Sequence, residues 1–379
     1  MRTRARTWTG PGLLGAAGAL LGAVAFLARP HDARAAIDQD WSPFVLVTGL
    51  LLVGLVAEAD GLFTRLGDRL ARVAASGRWF FVAVSAITGV VTALLNLDTA
   101  VAFLTPVLVY AARRRGGGEA PVLYGVLLMA NAGSLFLPGS NLTNLIVLGH
   151  EHLTGASFLA RMWLPALVAL GATALVVAVV ERHDVLAVRP VAAPAPHPVR
   201  ALGVVAVLAS GAAVLALASP APTVLAIGVV ATAARLAGPD LSVRRVRETL
   251  GLATLVGLFG AAVAVGALGR VLAPSSGLFH LAAVPSALVA AGAAVLVNNL
   301  PAASFLASHP VAHPYALLVG LDLGPNLAVT GSLAWLIWRR AARLAGTEPS
   351  LARASRVGAL AVPVSMALCL GALALSGRA

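Results

Sequence analysis

The chain of 379 residues has no lysine, a single cysteine and few charges of any kind. Charged residues make up 11% of it and aromatic residues 5%. A soluble protein of this length keeps roughly a quarter of its residues charged, so these residues do not furnish an ordinary water-facing surface. The lone cysteine, Cys369, falls in the last apolar run. That argues against a disulfide framework, a thiolate metal site or a cysteine nucleophile with its own cluster. No Walker sequence, HExxH or GxSxG occurs. Nothing therefore points to ATP hydrolysis or intramembrane proteolysis, and no cofactor is implied. The net charge of +12 rests on arginines held in short loops between apolar runs. This is the positive-inside pattern and not a phosphate-binding face, so no nucleic-acid partner is implied.

What fills the chain is apolar: 59% of residues are hydrophobic and the mean hydropathy is +0.91. Apolar runs recur at 11–28, 42–60, 156–180, 201–218, 221–237, 250–272 and 356–376. About 20 such residues cross a bilayer, so the surroundings are lipid and the expected class is an all-α polytopic protein of the cell membrane. Arg2, Arg4 and Arg6 before an apolar run, with "ARA" at 33–35, are compatible with a cleaved signal. Retention of residues 1–35 is the preferred reading, because the repeat set out below uses that helix.

With a cytoplasmic N-terminus, 11–28 exits and 42–60 returns to a loop holding Arg65, Arg69, Arg72 and Arg78. Glu58 and Asp60 then sit at a cytoplasmic span end, where solvation is expected. The stretch 79–112 is broken at Asn96–Asp98 and ends at Arg113, Arg114 and Arg115. A full crossing would put that triplet outside. A re-entrant hairpin keeps it inside, and irregular backbone at such depth is tolerated where protein or a cavity surrounds it. Span 121–149 then exits to "GHEHLTG", and 156–180 returns to a Pro/Ala-rich linker, "VAAPAPHPVR", that follows Arg189. Next, 201–218 exits, 221–237 returns to "VRRVRE", 250–272 exits, and 283–308 forms a second hairpin from outside. Finally 314–338 returns and 356–376 exits. On this map about 22 of the 27 arginines are cytoplasmic. His150, Glu151 and His152 have a metal-like look, but an exposed loop without a third ligand makes a poor site.

The expected fold is therefore an inverted-repeat transporter with two re-entrant hairpins and two interrupted transmembrane helices. Its first repeat is 1–181, its second 221–379, and 182–220 links them. The hairpin tips read "NLDTAVAFL" (96–104) and "NNLPAASFL" (298–306); the long spans are interrupted at "LPGSNLTN" (137–144) and "LDLGPNLAVTGS" (321–332). Paired Gly/Pro-interrupted segments in corresponding halves point to a transporter's binding site. Each break frees backbone groups that lipid cannot satisfy and exposes half-helix ends of opposite partial charge. The candidate solute and ion ligands are Asn96, Asp98, Thr99, Ser140, Asn141, Thr143, Asn144, Asn298, Asn299, Asp322, Asn326, Thr330 and Ser332. The structural breaks are Pro106, Pro138, Gly139, Pro301, Gly324, Pro325 and Gly331, the prolines suiting restarting helices and the glycines close packing. Asp98 and Asp322 have a bland alternative as helix caps, and any single asparagine as a bridge between helices.

These stretches resemble those of the bacterial arsenite permeases, within the ion-transporter superfamily that also holds sodium/dicarboxylate carriers and NhaD-type antiporters. "LLLVGLVAEADGLFTRLGDRLAR" (50–72) is similar to that family's helix before the first hairpin. "VTALLNLDTAVAFLTPVLV" (91–109), "PGSNLTNLIV" (138–147), "VNNLPAASFL" (297–306) and "DLGPNLAVTGSLAWLIW" (322–338) are similar to its hairpins and interrupted helices. Two departures stand out: Leu97 where a second asparagine is common, and Asn326 where arsenite permeases often have lysine. The resemblance implies a secondary transporter exporting arsenite or antimonite against the proton gradient, with Asp98 or Asp322 as carrier. A cavity of carboxylates, amides and hydroxyls, without arginine, lysine or histidine, is expected to suit an uncharged trihydroxide. The alternatives are a sodium- or proton-coupled carrier of citrate or dicarboxylate and, more distantly, a channel-like facilitator for metalloid hydroxides. The partners implied are a small inorganic solute and protons; a homodimer and an associated ATPase are both compatible with the chain.

Overall fold

The computed structural model describes residues 10–73, 76–149, 151, 153–187, 198–272 and 277–377. Among these residues every regular element is helical. The chain runs through α1 (Gly10–Ala28), α2 (Pro30–Ala59), α3 (Leu62–Val73), α4 (Gly77–Leu95), α5 (Leu97–Arg114), α6 (Ala120–Gly133), α7 (Leu142–Leu148), α8 (Gly155–Val180) and α9 (Arg182–Ala187). It continues with α10 (Ala201–Ala216), α11 (Ala221–Leu236), α12 (Val243–Leu250), α13 (Leu252–Leu272), α14 (Ala283–Val297) and α15 (Asn299–Leu306). The last three are α16 (Pro314–Leu323), α17 (Ala334–Leu344) and α18 (Leu351–Leu375). The α2, α4, α8 and α18 helices and the stretch Val243–Leu272 are long and apolar enough to cross a bilayer. Cys369 is buried within α18.

Contacts between helix ends fix two faces of the bundle. On the first, rich in arginine, Asp60 at the end of α2 pairs with Arg235 of α11 at 2.6 Å and accepts the Gly203 backbone N–H of α10 at 2.6 Å. Glu58 pairs with Arg245 of α12, and Glu181 after α8 with Arg353 of α18. On the opposite face, Gln39 of α2 donates to the carbonyl oxygen of Ala307, just beyond α15, at 3.0 Å. Arg270 of α13 donates to Gln39 Oε1 at 2.7 Å, and Arg161 of α8 to the Tyr315 hydroxyl of α16 at 2.6 Å.

Both hairpins are present and enter from opposite faces. Beyond α5, the Arg115 guanidinium lies 5.2 Å over the Phe80 ring at the start of α4 and donates to the Ala71 carbonyl at 2.7 Å. Entry and exit of α4–α5 therefore share the arginine-rich face. At the other, the Ala312 N–H after α15 bonds the Phe279 carbonyl before α14 at 2.8 Å, and the Phe279 and His309 rings lie 5.2 Å apart. Each reversal turns on an asparagine with positive φ, 109° at Asn96 and 78° at Asn298, the two non-glycine residues described in that region. Asparagine enters it more readily than other side chains do, because its short amide bonds locally. Asn96 Oδ1 accepts the Thr99 N–H at 2.8 Å, and Asn298 Oδ1 the Leu300 N–H at 3.3 Å. Each tip thus caps the second arm of its own hairpin.

The remaining packing is two-fold. Helix α1 lies on α13, α11 lies on α2 in the matching position, and α8 packs on α18. Glycine makes the first two contacts close: a Cβ on Gly18 would sit 1.8 Å from the Gly257 carbonyl oxygen, and one on Gly228 2.6 Å from that of Gly49. Small residues at crossings let backbones approach in a medium that offers no hydrophobic drive between helices.

Three expectations need correcting. Asp60 is buried and paired, not solvated, because α10 and α11 cover the end of α2. Helix α2 starts at Pro30 and not near residue 42. His31, Arg34 and Asp38 stay exposed in its first turns, while Ala33 and Ala36 are buried and Asp40 is fully buried with one oxygen accepting the Ser304 hydroxyl of α15 at 3.0 Å. The arginines at 65, 69 and 72 ride on α3, an amphipathic helix whose Phe63 and Leu70 are buried. Most of the Pro/Ala-rich linker (191–197), with Arg189, His150 and His152, lies outside the described residues.

Candidate functional site

Both long spans break at the Gly/Pro segments. After α6 come two 3-10 turns, Ser134–Phe136 and Pro138–Ser140, before α7 restarts with Asn141 as its cap. After α16 a 3-10 turn, Gly324–Leu327, precedes α17. Pro138 and Pro325 open 3-10 turns, Pro301 lies in the first turn of α15, and Pro106 lies within α5. A Cβ on Gly324 would approach Ala291 Cα to 2.6 Å and one on Gly331 the Pro325 Cα to 2.5 Å, so both serve close packing. On Gly139 it would meet the Val214 side chain at 3.3 Å.

The two breaks are laced together by Asp322. Its fully buried carboxylate accepts Ser134 Oγ at 2.7 Å, Asn141 Nδ2 at 2.8 Å and Thr143 Oγ1 at 2.9 Å. Beside it, Asn131 Nδ2 donates to Asn326 Oδ1 at 2.9 Å, and Asn326 Nδ2 to the Leu128 carbonyl at 3.1 Å. Asn144 donates to the Ser134 carbonyl at 2.8 Å. The hairpin tips lean on the breaks. Ser140 Oγ reaches the Ala93 carbonyl at 3.3 Å; the Asn299 N–H bonds the Gly331 carbonyl at 2.8 Å, and Thr330 Oγ1 the Val295 carbonyl at 2.6 Å.

A cavity of about 140 Å³ lies where these elements meet, walled by Asp98, Asn141, Asn298, Asn299 and Ser332 among others. Each of the four interrupted elements contributes to it. A wider vestibule of about 310 Å³ shares Asp98, Glu248, Thr249 and Arg340 with the cavity and adds Glu58 and Arg245, residues of the arginine-rich face. On the opposite side Gln39 and Asp40 bond the second hairpin, beside a separate cavity of about 600 Å³ that Gln39, Pro138 and Arg270 help to line.

Other expected ligands lie elsewhere. Asn96 and Thr99 are buried in the turn, Ser140, Thr143, Asn144, Asp322 and Asn326 are taken up in bonds between segments, and Thr330 is exposed. Asp98 has no hydrogen-bond partner among the described residues, since the capping role falls to Asn96. The expectation of a cation-free cavity is overturned, because Arg340 is in its wall. It was hidden by being counted with the cytoplasmic loop arginines, although Leu333, Ile337 and Arg340 follow the break at the spacing of one helix face. Glu248 and Thr249 were missed for the same reason, as parts of or next to a basic loop that is in fact α12, and Thr254 because it lay inside the apolar span 250–272. Asn131 and Ser134 carried no proline or two-residue polar run to mark them.

The CitMHS family, described as citrate transporters, matches residues 8–338. The chain belongs to that family. The silicon efflux transporter LSI3 of Oryza sativa subsp. japonica is 32% identical to this CitMHS chain over 157 residues, 40% of the chain and 32% of that protein. Inner membrane protein YbiR of Escherichia coli (strain K12) is 29% identical over 136 residues, 35% of each. The matches thus span about a third of the length of either relative. In structure, the YdaH transporter of Alcanivorax borkumensis, whose crystal structure is described as revealing an unusual topology, aligns with a TM-score of 0.55. That alignment covers 97% of this chain and 98% of that one at 16% identity, a likeness of fold. The family that matches is described as that of citrate transporters; none of the relatives named above is described as an arsenite permease.

Proposed function

We propose that the protein is a secondary carrier of a small organic anion, coupled to protons and working by alternating access. The observation that carries this reading is the single cavity walled by both hairpin tips and both helix breaks. Its amides and the Ser332 hydroxyl, which is buried without a partner, offer donors to carboxylate and hydroxyl oxygens. Arg340 removes the objection that an anion would find no cation there. Asp98, unpartnered in the same wall, is the proton carrier: an anion entering beside it is favoured when that carboxyl holds a proton. Asp322, already accepting three donors, instead holds the two breaks in register. The arginine-rich face is cytoplasmic by the positive-inside rule, which makes the present state inward-facing.

A second reading, transport of an uncharged metalloid hydroxide, is favoured by the similarity to a silicon efflux transporter and by the arsenite-permease-like motifs. Purified protein in proteoliposomes separates the two. Labelled citrate is expected to accumulate under an imposed pH gradient and to stop doing so with an uncoupler. Movement of silicic acid or arsenite without citrate would favour the metalloid reading, and a requirement for sodium would transfer the coupling to that ion.

A further inference from the structure

The arginines around the cavity mouth are engaged, with one exception among those that line it. Arg245 pairs with Glu58, and Arg244 with Glu248 at 2.8 Å. Arg339 and Arg343 both bond Glu348, and the Arg343 hydrogen bond holds that carboxyl below its ordinary value. Arg340 lines both the cavity and its vestibule and is exposed, yet has neither an ion pair nor a hydrogen bond among the described residues. Its charge does act on Glu248, which lines the same space and is itself bonded by Arg244. A guanidinium with no hydrogen bond of its own, facing four donor-rich segments, is what an anion site presents before its ligand arrives.

Its position follows from the break. Leu333, the cap of α17, and Ile337 and Arg340 within it are four and three residues apart and line the cavity, and 333 to 340 spans about 10 Å along the helix axis. Side chains on a helix lean toward its N-terminus, here toward the floor formed by Asn298, Asn299 and Ser332. Arginine takes a carboxylate through two parallel N–H···O bonds, a geometry that an uncharged hydroxide does not use. The Ser332 hydroxyl, the Asn299 side-chain amide and the second N–H of the Asn298 amide, whose first donates to the Thr330 carbonyl at 3.3 Å, can then meet a second carboxylate or a hydroxyl at the other end of the same solute.

We infer that Arg340 is the specificity-determining residue of the cavity, gripping one carboxylate of a small di- or tricarboxylate whose far end rests on Asn298, Asn299 and Ser332. This rests on the organic-anion reading above. The test is counterflow in proteoliposomes with citrate, succinate, acetate and silicic acid, comparing the parent with Arg340→Gln and Arg340→Lys. Arg340→Gln is expected to raise KM for citrate and succinate about ten- to hundred-fold, the loss of a charge-assisted pair, with a far smaller change in kcat. Arg340→Lys recovers part of the loss, and the preference for citrate over acetate narrows in Arg340→Gln. Since Arg340 forms no hydrogen bond or ion pair among the described residues and acts on Glu248 only through its charge, both variants should melt like the parent in detergent. Parent-like KM for citrate in a well-inserted Arg340→Gln protein would overturn the inference while leaving the anion reading intact. A parent that moves silicic acid but no carboxylate would overturn both.

Discussion

Asp98 and Asp322 play different parts around the cavity and the breaks. Asp322 has three donors and no cavity to face; Asp98 faces the cavity and has no donor. Removing them should therefore do different things. Asp322→Ala strands the buried Asn141 and Thr143 donors, Ser134 keeping the Asn131 carbonyl at 2.7 Å; each unsatisfied group costs about 1–3 kcal/mol, and the melting temperature should fall sharply. Asp98→Asn leaves the Asn96 cap untouched and should melt like the parent, yet lose accumulation driven by a pH gradient while keeping solute exchange. If Asp98→Asn still accumulates citrate under that gradient, protons are coupled through another group. Either aspartate was legible in the sequence as something costly in lipid. Which was a lock and which a lining residue was not, because that depends on Asn96 taking the cap and on the second break crossing the first.

At the scale of elements, the hairpins and breaks were legible because arginine placement and Gly/Pro interruption are independent signals that agree. Helices α3 and α12 were not, since their charge was counted and their apolar faces were passed over. The start of α2 was missed because its Asp and Gln suggest water, whereas Asp40 meets Ser304 and Gln39 spans to the second hairpin. Packing by glycine gives a sharper prediction. A Cβ on Gly257 would lie 2.4 Å from the Leu14 carbonyl oxygen, so Gly257→Leu must part α1 from α13. The expected loss is about 1–3 kcal/mol or more, read as a fall in melting temperature. Gly292→Ala, whose Cβ meets nothing within 4 Å, should not lower it. Equal melting of the two variants would mean that the α1–α13 contact contributes little.

For the molecule as a whole, two related hairpins are caught in different postures. The second is sealed against α2 through Ala307 and Ser304, while the first stands back from α12 and α13 with the cavity between them. On the alternating-access reading proposed above, a chain with an internal two-fold holds both phases of one cycle at the same instant, one in each half. The phase not seen here is then obtained by exchanging the halves' roles. The cavity side of α5, with Ala102, Phe103 and Pro106, would close on Thr249, Thr254 and Leu255, as the second hairpin now closes on α2. Cysteines at Ala102 and Thr254 should accordingly form a disulfide in cycling membranes, arrest transport, and release it on reduction; continued transport by the oxidised, cross-linked protein would rule out that closure. Cys369, buried in α18, gives no competing signal.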